Sequence, residues 1–243
     1  MLSNSCQQEN VMNIVMAAYG LPRNSIENFM NWNQVALQEM GVTVWVGYHE
    51  YFINNPFSNL RVIKYPKKEK IFSIGRTVNY VMRRIDCGEK EIIIKTDPDI
   101  VFSKEVLNHI SKNLTIGSGM VCICANIANP ELVEFSTWSN MAKRRGGRGA
   151  CFAMTKADWF KLNGYDERIE GWGGDDDEMF HRASKQVKIT QDDEYPLFHV
   201  NHPERKNKFS NFPYNFYVNR EIIKLLDWSS PNWGQAGQVE ENK

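Results

Sequence analysis

Glu91-Ile92-Ile93-Ile94-Lys95-Thr96-Asp97-Pro98-Asp99 fixes the kind of sheet this chain builds. Glu91–Thr96 (EIIIKT) is a nearly pure β-branched run, which reads as a buried strand. Asp97-Pro98-Asp99 then closes it with a stiff turn carrying two carboxylates. A strand this apolar is covered on both faces, as in parallel sheets flanked by helices.

On either side of that strand the same alternation recurs. Upstream, Asn13–Ala18 (NIVMAA) reads as a strand, followed by a helix from about Asn24 to Met40 that Gly41 stops. Val42–Val46 and Leu60–Tyr65 are further strands, and Ile74–Ile85 is a helix. Downstream, Ser103 caps a helix through about Lys112, with Val106 in place of a capping-box acid. Met120–Ala125 reads as one strand. Ala150–Met154 is a short strand, and Thr155 caps a helix through about Leu162. Asn163-Gly164-Tyr165-Asp166 is a turn. Gly171–Asp177 (GWGGDDD) opens a helix reaching about Lys185. Val187–Thr190 and Tyr195–Val200 are short strands, and Ile222–Leu226 lies in a late helix.

Alternating strands and helices predict an α/β fold with a mostly parallel central sheet flanked by helices. The expected organisation is a single domain over 1–243. Residues of about 11–115 form its first half, about 116–228 its second, and 229–243 a polar tail. Ligands of such sheets sit beyond the carboxyl ends of the strands. Ala18, Tyr19, Asp97 and Asp99 occupy that kind of position.

Bulk properties narrow the classes. The chain has 243 residues, 42% hydrophobic and 24% charged, ample for a packed core. Lys+Arg and Asp+Glu both number 29, which argues against bulk nucleic-acid binding. The five cysteines, Cys6, Cys87, Cys122, Cys124 and Cys151, form no CxxC pair. They read as buried or free thiols of a reducing compartment. No window reaches the about 18 apolar residues of a membrane span, and the first residues carry no signal-peptide pattern. A cytoplasmic protein is the expectation.

Three constellations carry chemistry. Asp97 and Asp99 can converge on one hard divalent cation such as Mn²⁺ or Mg²⁺. Alone, Asp-Pro-Asp is equally a solvated turn; its place after a buried strand favours a site. Gly171-Trp172-Gly173-Gly174-Asp175-Asp176-Asp177-Glu178 opens a helix with four acids. Acids suit a helix N-terminus, but capping needs one or two. The glycines permit close backbone approach, the Trp is a flat apolar face, and a carboxylate here can take a proton from a hydroxyl. Phe198-His199-Val200-Asn201-His202-Pro203 offers two imidazoles for a metal or a phosphate. Lys143–Arg148 (KRRGGRG) reads as a solvated basic loop, with anion binding as its alternative. Trp138, Trp159, Trp228 and Trp233 read as packing residues.

Gly149–Arg182 (GACFAMTKADWFKLNGYDERIEGWGGDDDEMFHR), with KTDPD before it and FHVNHP after it, resembles the beta-galactosyltransferase family. It is also similar to bacterial chondroitin-polymerase domains and other GT-A glycosyltransferases. The resemblance implies a GT-A fold, a UDP-sugar donor, a glycan acceptor and usually Mn²⁺. It implies Asp176 as the catalytic base of an inverting transferase, with a retaining transferase of the same fold or a catalytically silent sugar- or nucleotide-binding module as the alternatives. Trp172, Gly173, Gly174, Asp175 and Asp177 would meet the acceptor. Ala18, Tyr19, Arg76, Asn79 and Asp97 would meet the donor. Asp97, Asp99 and His199 would hold the metal, with His202 as the alternative to His199. Two departures stand out. Asp175 replaces a usual Glu, and VTVWVGYHE lacks the usual Asp pair, with Glu50 a weak substitute. Without the anchor of the eukaryotic enzymes, a bacterial or viral enzyme is expected.

Overall fold

The structure is a computed structural model that describes residues 11–18, 24–49, 55–66, 71–130, 135–144, 148–171, 173–201 and 212–235. Tyr19, Glu50, Trp172, His202 and Cys6 lie outside the described residues.

Eleven strands and six α-helices follow one another along the described chain. They are β1 (Met12–Ala18), α1 (Ser25–Glu39), β2 (Thr43–Tyr48), β3 (Leu60–Lys64), α2 (Ile74–Met82), β4 (Ile92–Thr96), β5 (Ile100–Phe102) and α3 (Lys104–Asn113). After these come β6 (Ser118–Cys122), β7 (Cys124–Ile127), β8 (Lys143–Arg144), β9 (Cys151–Thr155), α4 (Lys156–Lys161), α5 (Asp175–Ala183), β10 (Lys188–Asp192), β11 (Leu197–Val200) and α6 (Phe212–Leu225). Among the described residues, no helix is long and apolar enough to cross a membrane.

Seven strands form the central sheet in the order β10-β6-β9-β4-β1-β2-β3. β1 pairs in parallel with both β2 and β4. Chain progress therefore reverses direction between β1 and β4, which opens a crevice beyond their carboxyl ends. β9 runs antiparallel between β4 and β6. The α/β expectation holds, with β9 as the exception to a parallel sheet.

The pleat sorts the strand residues. Ile14, Met16, Ile92 and Ile94 join α1 and α3 in one core layer. Val15 and Ile93 join α2, α4 and α5 in the other. Successive strand side chains alternate faces, so Lys95 shares the Ile93 side and points under α5. Both layers include fully buried aliphatics, the source of most of the fold's stabilisation.

Sequence signals place several boundaries. Gly41 takes φ +61° after α1, a left-handed conformation that glycine adopts without steric cost. Ser73, Ser103 and Thr155 accept hydrogen bonds from the amides of Arg76, Val106 and Asp158 at the starts of α2, α3 and α4. Asn163 and Gly164 both have positive φ in the turn before Tyr165.

One expectation is corrected. Met120–Ala125 is two strands, not one, and Cys122 and Cys124 belong to different sheets. The chain breaks at Ile123, whose amide bonds the Asp192 carbonyl at 2.7 Å. β7 then enters a second sheet of order β5-β11-β7-β8. That sheet matters for the site: β5 and β11 pair antiparallel with Ile100 opposite His199.

Candidate active site

The carboxyl end of β4 and the first turn of α5 meet at Lys95. Its Nζ donates to Asp97 Oδ1 at 3.2 Å, Asp176 Oδ1 at 3.1 Å and the Gly149 carbonyl at 3.3 Å. Lys95 is 1% exposed. Burial alone would lower its pKa, but Asp176 and Asp97 outweigh it and hold the ammonium well above the usual lysine range.

The four acids of α5 point four ways, because successive helical residues are turned by about 100°. Asp175 is buried. Burial pushes its carboxyl up to about 7, with Asp176 adding to the rise and Lys95 opposing it. Its Oδ2 has no hydrogen-bond partner among the described residues. Asp176 faces Lys95 and also accepts from the Tyr165 hydroxyl at 3.2 Å. Asp177 faces outward and bonds Arg148 at 2.8 Å. Glu178 is fully buried and takes Arg182 Nε at 2.6 Å. Arg182 also donates to the carbonyls of Leu162 and Gly164, tying α5 to the end of α4.

Asp97 shares the Lys95 ammonium with Asp176. Burial in this crowd pushes its carboxyl up to about 6, Lys95 pulls it down, and Asp176 and Asp99 push it up. Its side chain is still 43% open, so solvent tempers that rise. Asp99 sits just before β5, and its Oδ2 lies 3.6 Å from His199 Nε2. The β5–β11 pairing produces this approach, and the Val200 amide bonds the Asp99 carbonyl at 2.8 Å.

A carboxylate and an imidazole side by side suit Mn²⁺ or a similar divalent ion. Asp99 and His199 fit as two ligands. Among the described residues no group of three such donors converges, and Asp97 is drawn to Lys95 instead.

Gly173 and Gly174 precede α5 with φ +91° and +98°. A Cβ at Gly173 would meet nothing within 4 Å, whereas one at Gly174 would lie 2.8 Å from Ile223 Cδ1. The first is open ground and the second a packing contact with α6. Asn219 of α6 pins this loop, donating to the carbonyls of Gly173 at 2.8 Å and Glu170 at 3.0 Å.

Ala18 ends β1, half-buried. Val15 pairs with Lys95 of β4, and Ala18 pairs with Tyr48 of β2. Arg76 and Asn79 do not join the carboxylate group. Arg76 bonds the Glu167 carbonyl at 2.7 Å and Glu170 at 2.9 Å. Asn79 is fully buried, donates to the Tyr165 carbonyl and Glu167, and accepts from the Tyr165 amide. Both brace α2 against the 164–170 loop.

Lys95, Tyr165, Gly149 and Asn219 escape a reading of the sequence. The one usable signal is Lys95, a charge inside an otherwise β-branched strand on the parity of Ile93.

Comparison with known proteins agrees with this picture. Residues 131–202 match the sequence family described as the N-terminal domain of galactosyltransferase. Human chondroitin sulfate N-acetylgalactosaminyltransferase 2 is 28% identical over 148 residues, 55% of this chain. The chain spans about a quarter of that relative's length (27%). Drosophila β1,4-galactosyltransferase 7, solved with xylobiose, superimposes with a TM-score of 0.57 at 13% identity, over 91% of this chain and 82% of that one. A mutant of it was solved with manganese, UDP-Gal and xylobiose. The mannosyltransferase PcManGT of Pyrobaculum calidifontis, solved with GDP-Man and Mn²⁺, gives a TM-score of 0.59 at 12% identity, over 93% and 67%. The chain thus has the fold of these GT-A glycosyltransferase structures, and its residues 131–202 are similar in sequence to the galactosyltransferase family.

Proposed function

We propose that this protein is a metal-dependent, inverting glycosyltransferase. It moves a hexose or N-acetylhexosamine from a UDP-sugar to a hydroxyl of a glycan acceptor. The observation that carries the reading is the convergence of Asp97 and Asp176 on Lys95. It joins the acid-bearing strand end to the acid-bearing helix start at the crevice between β1 and β4. The matched relative transfers N-acetylgalactosamine by its name, and the neighbouring structures hold nucleotide sugars with manganese.

Asp99 and His199 would hold the cation, which when bound supplies positive charge against the diphosphate of the leaving group. The chain's own residues do the rest. Ala18, at the end of β1, flanks the donor side of the crevice. Gly173 leaves open space before α5 for an acceptor. Asp176 takes the proton of the acceptor hydroxyl. The acceptor oxygen bonds the anomeric carbon as the carbon–oxygen bond to the diphosphate breaks, and UDP departs with the electron pair. Attack from the face opposite UDP inverts the anomer.

The test is a panel of UDP- and GDP-sugars incubated with purified protein and Mn²⁺, with nucleotide release as the readout. One preferred UDP-sugar, lost in EDTA and lost in Asp99→Ala, is expected. No release and no binding with any donor contradicts the reading, and NMR of the product anomer decides between inversion and retention.

A further inference from the structure

Asp176 is gripped by three residues from outside its own helix. Lys95 Nζ and the Tyr165 hydroxyl both donate to Oδ1, at 3.1 and 3.2 Å. Lys95 is 1% exposed and Tyr165 is fully buried. Tyr165 is stacked on Trp159 at 5.7 Å between ring centroids, and its amide is held by Asn79 at 2.8 Å. Neither donor can follow the carboxylate if it swings.

The other side of Asp176 is set by Gly149. A Cβ there would stand 2.2 Å from Asp176 Oδ2 and 2.9 Å from its Cγ. Gly149 does not adopt a positive φ, so its backbone conformation is open to alanine. What excludes a side chain at 149 is Asp176 itself.

A carboxylate offers about two lone-pair directions on each oxygen. Lys95 and Tyr165 occupy Oδ1. Among the described residues no hydrogen bond reaches Oδ2. Lys95 also holds Asp97, so the same ammonium sets the spacing between the strand-end acid and the helix-start acid.

We infer that Lys95, Tyr165 and Gly149 are positioning residues that orient Asp176 so that Oδ2 is the oxygen receiving the acceptor's proton. The inference rests on the transferase reading for what the oriented oxygen does; the grip itself does not depend on it. These residues act through Asp176, so their loss slows turnover without weakening donor binding. Small misplacements of a reacting group cost up to about 100-fold in rate.

The test uses Tyr165→Phe and Gly149→Ala in the full chain, with two readouts. The first is steady-state transfer with the preferred donor, beside calorimetric binding of UDP with Mn²⁺. Expected are a kcat loss of roughly 10- to 100-fold, donor KM and UDP affinity within about twofold of the parent, and an unchanged circular dichroism spectrum. The second readout is a denaturation cycle of Tyr165→Phe, Asp176→Asn and the double variant, which needs no activity. Expected is non-additivity, because the removed hydroxyl and carboxylate touch. Unchanged kcat in both variants, a change confined to KM, or additive denaturation midpoints overturns the inference. If the parent protein transfers nothing, the transferase reading fails, and the denaturation cycle still decides whether the grip exists.

Discussion

The ammonium of Lys95 lies 3.1 Å from the carboxylate of Asp176, joining the end of β4 to the first turn of α5. Replacing Lys95 with Met removes the cation and leaves Asp97, Asp175 and Asp176 crowded together. Breaking a fully buried pair costs about 3–5 kcal/mol. Here Asp176 is 28% and Asp97 43% open, so a smaller loss of about 2 kcal/mol is expected after discounting for solvent. Urea denaturation of the two proteins at pH 7 measures it. Equal midpoints and slopes would mean that Lys95 contributes nothing to stability.

Part of this arrangement is legible from residues alone. Each acid-bearing motif carries its carboxylates within a few positions of one another, and local rules place strand ends and helix starts. The α/β alternation is legible for the same reason: β-branched runs and glycine stops are local. Strand direction is not. β9 is antiparallel because its partners β4 and β6 flank it from distant parts of the chain, and no feature of Cys151–Thr155 announces that. Lys95 stands out only as a charge inside a buried strand, and its role is not legible because its partner Asp176 is 81 positions downstream. Asn79 and Arg76 are assigned by resemblance, and only packing reveals them as braces of the 164–170 loop.

The raised carboxyls give stability a pH dependence. Asp175 moves from an ordinary 3.8 to about 7 and Asp97 to about 6, mainly through burial. Between about pH 4 and 7 the folded chain therefore holds these protons more tightly than the unfolded chain. Their contribution falls as pH rises through that window and levels off above it. Asp175→Asn removes the carboxyl with the greater shift. In EDTA, the variant should gain about 1–2 kcal/mol on the parent at pH 8 and lose that advantage near pH 4. Denaturation at both pH values checks this, and a gain that does not change with pH refutes it.

Glu178 and Arg182 form a pair with both side chains at or below 2% exposure. Arg182→Met leaves a buried carboxylate without its cation and strips donors from the Leu162 and Gly164 carbonyls. A destabilisation of about 3–5 kcal/mol is expected, read as a fall in melting temperature. A change under about 1 kcal/mol would mean that the pair is not buried as described.

Asn219 holds the loop before α5 through two side-chain hydrogen bonds. Asn219→Ala frees the Glu170 and Gly173 carbonyls, at about 1 kcal/mol per hydrogen bond. Under the proposed function, acceptor KM rises several-fold while UDP binding is unchanged. Kinetics at saturating donor separate the two, and an effect on UDP binding alone would place Asn219 on the donor side.

Asp176 as the base stands or falls on a comparison of Asp176→Asn with the parent protein, with transfer to acceptor and Mn²⁺-dependent UDP binding measured side by side. A loss of turnover of about 10²- to 10⁴-fold is predicted, with UDP binding retained. Transfer by the Asp176→Asn variant at the parent rate would contradict Asp176 as the base, and with it the mechanism built on the Lys95 cluster.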